Sequence, residues 1–295
     1  MAMIVDPAAP HVTPPSRITS PDGWLAAIVD EPWAGVVLSV DYTAGTPLAD
    51  ADEVWQVRIV RQDPGAPEPV PVRSGDAAWA VEGVGTAYDH EAPLGAAVVY
   101  TATALYQDGS EGPSSQLAVT VPAPAPGAVR DLWIKSLDDP SLSARVQLTS
   151  PYGQESAGRQ DATVVAGSPY RVIAYDVHQA ATRPVTVDVL REDIERVRKL
   201  LRSGILLAQV RAAYQTPDAY FVPGDIAETP TGKLGSTGGY AVAFTIEPIA
   251  RPATAGQPMR LPGWSWDHVV DQFATWDAVA ASYPSWAALS TNGVT

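Results

Sequence analysis

The chain has 295 residues, 46% hydrophobic and 18% charged, a balance that buries real cores and rules out wholesale disorder. With no cysteine it has no disulfide framework, thiolate metal site or cysteine nucleophile. The formal charge of −14 is concentrated in residues 1–127, where 16 acidic side chains face 4 basic ones, and such a surface repels phosphate backbones and anionic lipid heads.

Residues 1–32 read as an N-terminal arm. The first residues carry neither the basic stretch nor the apolar core of a classical export signal, and no apolar run reaches the roughly 18 residues of a membrane span. The expectation is a soluble product of the cytoplasm, with no membrane insertion and no direct nucleic-acid binding.

Residues 33–121 predict an all-β domain. Segments 33–42, 53–61, 97–106 and 116–121 are rich in β-branched and aromatic residues, either alternating or running apolar, and Gln107-Asp108-Gly109-Ser110 is a turn between two of them. In 53–61, alternation puts Val54, Gln56, Arg58 and Val60 on one face and Trp55, Val57 and Ile59 on the other. Short strands with almost no helical period suggest a β-sandwich. The strand succession, with Tyr100 and Leu105-Tyr106 ahead of 108–115, resembles a fibronectin type III module, whose usual role is spacing or adhesion.

A proline-rich stretch, 122–127, reads as a stiff linker. Residues 128–252 then mix strands with one helix. Strands are expected at 131–135, 145–149, 170–176, 184–188, 205–210, 219–222 and 240–246. The helix is expected over 189–203, where Leu190, Ile194, Val197 and Leu201 form one apolar stripe to brace the sheet. Asp188 can cap its start, and Glu192–Arg196 and Glu195–Lys199 are spaced as i, i+4 pairs. One helix with about seven strands implies a β-barrel or sandwich with a single flanking helix.

After a looser linker, 253–263, the tail 264–295 carries the most specific pattern in the chain. Ser265-Trp266, Thr275-Trp276 and Ser285-Trp286 recur every ten residues, and Val269, Val279 and Leu289 each follow three residues after the tryptophan. Ser and Thr are good helix N-caps. Ten residues at about 100° each leave successive indoles about 80° out of phase, so three short helical turns are predicted rather than one helix. Burying one Trp is worth roughly 5 kcal/mol, against about 15 kcal/mol to order ten residues. The units therefore need a surface supplied by the rest of the chain or by a neighbouring subunit. Trp264, Trp266, Val269, Trp276, Val279, Trp286 and Leu289 are the candidate assembly contacts.

Nothing in the sequence forms a recognisable reaction centre. His11, His90, His178 and His268 are scattered, and the glycine-rich stretch 231–239 lacks the glycine and hydroxyl spacing of a phosphate loop. Residues 50–53 and Asp138-Asp139 lack the spacing of a calcium loop and read as solvated turns. No catalytic, cofactor-binding or metal-binding residue is assigned, and no enzymatic activity is expected.

Three stretches together resemble the minor tail proteins, including distal tail proteins, of siphophages that infect actinobacteria. Leu132-Trp133-Ile134-Lys135 leading to Asp139-Pro140 is similar to the opening of their tail-tube-like domain. Residues 170–204, with Tyr220-Phe221-Val222 and 240–248, resemble its later strands and helix, and 264–290 resembles their C-terminal Trp repeats. The resemblance implies a structural virion protein at the tail tip, forming a ring with itself. A hexamer is favoured and a trimer is the alternative. It would join the tail tube to tail-tip and hub proteins, with the first domain facing outward towards the host cell surface. Two other readings are a carbohydrate-binding adhesin, with Trp24, Trp33, Trp55, Trp79 and the tail tryptophans as sugar platforms, and a cell-wall hydrolase.

Overall fold

The computed structural model describes residues 16–125, 130–149, 153–167, 169–232, 238–254 and 257–294. Residues 1–15 of the expected arm, with His11, the end of the 122–127 linker, the centre of the glycine-rich stretch and residues 255–256 of the second linker lie outside the described residues.

The first unit contains nine strands. They are β1 (Arg17–Thr19), β2 (Leu25–Asp30), β3 (Gly35–Asp41), β4 (Val54–Gln62), β5 (Val70–Pro71), β6 (Ala78–Trp79), β7 (Val84–Asp89), β8 (Ala97–Tyr106) and β9 (Glu111–Thr120). One sheet runs β1-β2-β3-β7 and the other β5-β4-β8-β9, with β6 also paired to β4. Their inner faces bury Leu25, Leu38, Val57, Ile59, Tyr100 and Leu117 in one core. Residues 17–30, expected in the arm, supply β1 and β2 of this sandwich, because Leu25 and Ala27 bury against its core.

Strict alternation fails at one place in β4. The β4–β8 register shifts between Val54 and Gln56, so Val54 turns inward with Val57 and Ile59 while Trp55 is left 43% exposed. A bulge that inserts one residue rotates the side chains before it to the opposite face.

The second unit is built on an eight-stranded antiparallel sheet, curled into a half-barrel, in the order β17-β18-β14-β11-β10-β15-β16-β19. Its strands are β10 (Leu132–Ser136), β11 (Ala144–Leu148), β14 (Arg183–Val189), β15 (Leu206–Gln209), β16 (Ala219–Phe221), β17 (Ala227–Pro230), β18 (Tyr240–Ile246) and β19 (Pro248–Ile249). Two further strands, β12 (Gln160–Val164) and β13 (Arg171–Tyr175), pair only with each other. The segment 170–176, expected as a sheet strand of the domain, therefore lies outside the eight-stranded sheet.

Helix α1 spans Ile194–Leu201, shorter than the expected 189–203. Asp188 and Val189 are held in β14 by pairing with Ala241 and Tyr240, so sheet pairing overrides helical propensity there. Ile194, Val197, Leu200 and Leu201 pack into the core of the half-barrel, whereas Leu190 precedes the helix and is 48% exposed. Glu195 pairs with Arg198 rather than Lys199, and Arg198 also reaches Glu228. Arg196 donates to the Ser141 and Ser143 carbonyls, and its guanidinium lies 5.2 Å from the Trp33 ring.

The tail forms three short helices, α2 (Trp266–Gln272), α3 (Trp276–Ser282) and α4 (Trp286–Ser290). Among the described residues no helix is long and apolar enough to cross a membrane.

Candidate functional site

Strand β10 explains how the two units join. Alternation sends Leu132 and Ile134 into the second core, while Trp133 enters the core of the first unit and Lys135 follows it to the same side. Lys135 is fully buried, and its Nζ donates to the carbonyls of Ala34 (2.7 Å) and His90 (2.6 Å), both in the first unit. Burial pushes its pKa down to about 8, against the opposing pull of Asp218 and Asp89.

The end of β7, Asp89, and the two residues after it form the centre of this junction. Asp89 Oδ2 accepts from Arg61 Nη1 (2.7 Å) and from the Tyr100 hydroxyl (2.9 Å), and its Oδ1 accepts from the Glu91 amide (2.8 Å). Burial alone would raise the Asp89 pKa; the Arg61 charge and these hydrogen bonds outweigh it and hold the carboxyl at about 2. Glu91 bridges Arg73 (2.7 Å) and Arg251 (2.5 Å), the latter from the segment after β19. His90 is buried, which lowers its pKa to about 4 and leaves it neutral at pH 7. Its Nε2 donates to the Ser136 carbonyl at 3.2 Å.

Gln209 Nε2 donates to the Glu91 and Ala92 carbonyls (3.2 Å each) and to Asp218 Oδ2 (2.7 Å). Burial raises Asp218 to about 6, with the Gln209 bond and Lys135 opposing. These groups are enclosed and engaged with one another, so what the arrangement does chemically is lock one unit onto the other. Sequence reasoning missed it: Asp89, Glu91, Arg61 and Arg73 fit no motif, and the one local signal was a charged run, Asp89-His90-Glu91, directly after an apolar strand.

The tail docks on its own chain. On the outer face of the first sandwich, Ile28, Val37 and Tyr88 lie side by side across β2, β3 and β7, and Met259, Leu261 and Val294 pack on them. Thr86 Oγ and Ser290 Oγ meet at 3.0 Å. Within the tail, Val269, Val279 and Leu289 form the buried line, with Trp264, Phe273 and Tyr283 against it. Trp264 Nε1 donates to the Leu289 carbonyl (2.8 Å), tying the first unit of the repeat to the last. Thr275 and Ser285 cap α3 and α4 through the amides of Ala278 and Ala288, whereas the Ser265 hydroxyl pairs with His268 Nδ1 at 2.8 Å.

The indoles of the repeat lie outside the buried line of the tail. The branched aliphatic side chain three residues on takes the interior position. Trp266, Trp276 and Trp286 are 61%, 63% and 60% exposed, in a row with ring centroids 6.3 Å apart at each step. Trp55 and Trp79 form another exposed pair, 4.8 Å apart, on the first sandwich. Trp24 and Trp33 are not free platforms: Trp24 packs on Tyr42 and donates to the Thr46 carbonyl, and Trp33 lies under Arg196.

A third exposed feature is the ribbon of β12 and β13. Every described residue from 153 to 180 is exposed, including Val164, Val172, Ile173, Tyr175 and Val177. Among the described residues no group of His, Cys, Asp and Glu is arranged to hold a metal ion. His178 lies beside this ribbon, near Gly158. Asp139 accepts from the Ser141 amide in a turn, and Asp50 accepts from the Tyr106 hydroxyl.

No family model, curated protein or solved structure matches the chain.

Proposed function

We propose that this chain is a self-assembling structural protein of a virion tail tip, a minor tail protein of the siphophage kind, whose copies close into a ring between the tail tube and the tip. The observation that carries self-assembly is the ribbon of β12 and β13. A two-stranded ribbon is marginal in water on its own. This one carries Val172 at 61% and Tyr175 at 86% exposure, and among the described residues no core of its own chain lies against either face. Exposed apolar surface of this extent marks a contact with another molecule. A ring supplies it repeatedly, because each copy offers an arm to the next and receives one from the last.

Other features agree with this reading. The first unit pairs β2-β3-β7 against β5-β4-β8-β9, the strand order of a fibronectin type III-like sandwich. The curled sheet with one bracing helix resembles a tail-tube-like domain. Six copies are the favoured ring and three the alternative, with the tail tube and the hub proteins as neighbours along the axis.

The test is the mass of the full chain, by light scattering, beside a double variant carrying Val172→Asp and Ile173→Asp. The native chain is expected as a multiple of 31.1 kDa and the variant as a monomer with unchanged far-UV circular dichroism. A native monomer at every concentration, or a variant with the native mass, overturns the proposal.

A further inference from the structure

The exposed tryptophans are not spread at random. Between the first sandwich and the tail runs a groove of about 600 Å³, with Trp79 on one wall and Trp286 on the other. Thr43, Thr86 and Ser285 supply hydroxyls along it, and Glu82 supplies its one charge. Glu82 also lines a second, broader groove that contains Trp55. The two grooves and the tail ladder thus make one stripe, Trp55, Trp79, Trp286, Trp276, Trp266, that crosses from sandwich to tail.

The stripe is held in shape by contacts that leave the indoles free. The tail is fixed through Val269, Val279 and Leu289 within, and through Met259, Leu261 and Val294 on the sandwich beneath. Glu82 is set in a two-residue turn between Val81 and Val84, at φ +52°, with Gly83 at φ +79°. A side chain at positive φ is strained, and glycine or asparagine would fit the turn more easily. The carboxylate is nevertheless what stands at the junction of the two grooves.

The lining selects the chemistry of the occupant. Every charged side chain in the two grooves is a carboxylate: Asp50, Asp52, Glu53, Glu82 and Asp108. A polyanion is repelled there, as it is by the first unit as a whole. Indole surfaces flanked by hydroxyls and carboxylates match sugar rings, which have apolar C–H faces, hydroxyl rims and, in amino sugars, a cationic group. Clefts of this size at the seam between structural units are also where ligands bind. Five platforms in a row match a polymer rather than a single sugar.

We propose that this stripe binds a linear glycan that carries no anionic groups, with the Trp79–Trp286 groove as the central subsite. The inference rests on the docking of the tail and not on the ring.

The test uses the full chain, titrated with tetramers of β-1,4-linked N-acetylglucosamine, glucosamine and glucose, and with dextran sulfate as the anionic control. Binding is read by tryptophan fluorescence and calorimetry. At least one uncharged or amino-bearing tetramer is expected to give a saturable blue shift, and dextran sulfate none. Trp79→Ala and Trp286→Ala, both at largely exposed positions, are each expected to weaken that binding by at least about tenfold with the fold intact. The Val172→Asp, Ile173→Asp chain should bind as the native chain does, which separates this outcome from failure of the ring. Glu82→Gln gives a further check at a side chain that no core depends on, and should weaken the glucosamine tetramer more than the glucose tetramer. No saturable response to any of the three tetramers, native affinity in both indole variants, or a fall in oligomer mass in those variants would overturn the proposal. The last result would mean that a second copy covers the stripe.

Discussion

Asp89 is the residue on which the junction turns. A carboxylate with no solvent access is tolerated because Arg61, Tyr100 and the Glu91 amide surround it. Its carboxyl titrates at about 2 in the folded chain against 3.8 ordinarily, so the unfolded chain takes up that proton first as pH falls. The stability it contributes is therefore complete above about pH 4 and is lost as pH falls through about 2. Asp89→Asn is expected to cost roughly 2 kcal/mol at pH 6, because buried Arg61 loses one of its two carboxylate partners and keeps only the partly exposed Asp63. From pH 6 down to about pH 2 most of the difference from the native chain should disappear. Denaturant unfolding across that range checks it, and a gap independent of pH would contradict it. None of this was legible beforehand. The partners of Asp89 are 28 and 11 positions away, at Arg61 and Tyr100, and only the fold brings them together.

The tail elements show how far a periodic pattern can be read. The Ser/Thr-Trp spacing of ten located all three helices and two of their three side-chain caps. It did not tell which of the equivalent positions face inward, because a repeat shows equivalence alone. Val269, Val279 and Leu289 take the interior, and Trp266, Trp276 and Trp286 stay largely exposed. Leu289→Ala is accordingly expected to cost the tail roughly 2–5 kcal/mol, the range for emptying a buried leucine site. Limited proteolysis should then cut within 264–294 while the two β units stay intact. Trp276→Ala, at a 63% exposed position, should leave the tail as resistant as before. The reverse order of sensitivity would contradict this assignment of the interior. Helix α1 carries the same lesson. Its stripe was readable from Ile194 to Leu201, but its start was not, because Asp188 and Val189 are claimed by a strand more than fifty residues away in sequence.

At the scale of the whole molecule, the described residues form a packed body of sandwich, half-barrel and tail, and a ribbon whose described residues are all exposed. The first sandwich, the half-barrel and the tail are joined by Trp133, Lys135, Glu91 and the Ile28–Val37–Tyr88 row, so they pack directly on one another. Val121 is still bridged to Leu94, and Leu94 to Arg211 of the second unit. The mainly β class and the helical tail were readable from alternation and spacing. The fusion of the units was not, because a buried face shared by two domains looks in sequence like an ordinary strand, as residues 132–136 do. The ribbon at 160–175 was read as part of the sheet for a related reason: apolar β residues look alike whether their partner is the same chain or another. Its exposure is the basis of the assembly reading. Hydrogen exchange of the backbone amides in 160–175, followed as protein concentration is raised, tests that reading most directly. The account predicts fast exchange in dilute solution that slows as the mass rises above 31.1 kDa. Fast exchange at every concentration, in a chain that stays at that mass, would contradict it.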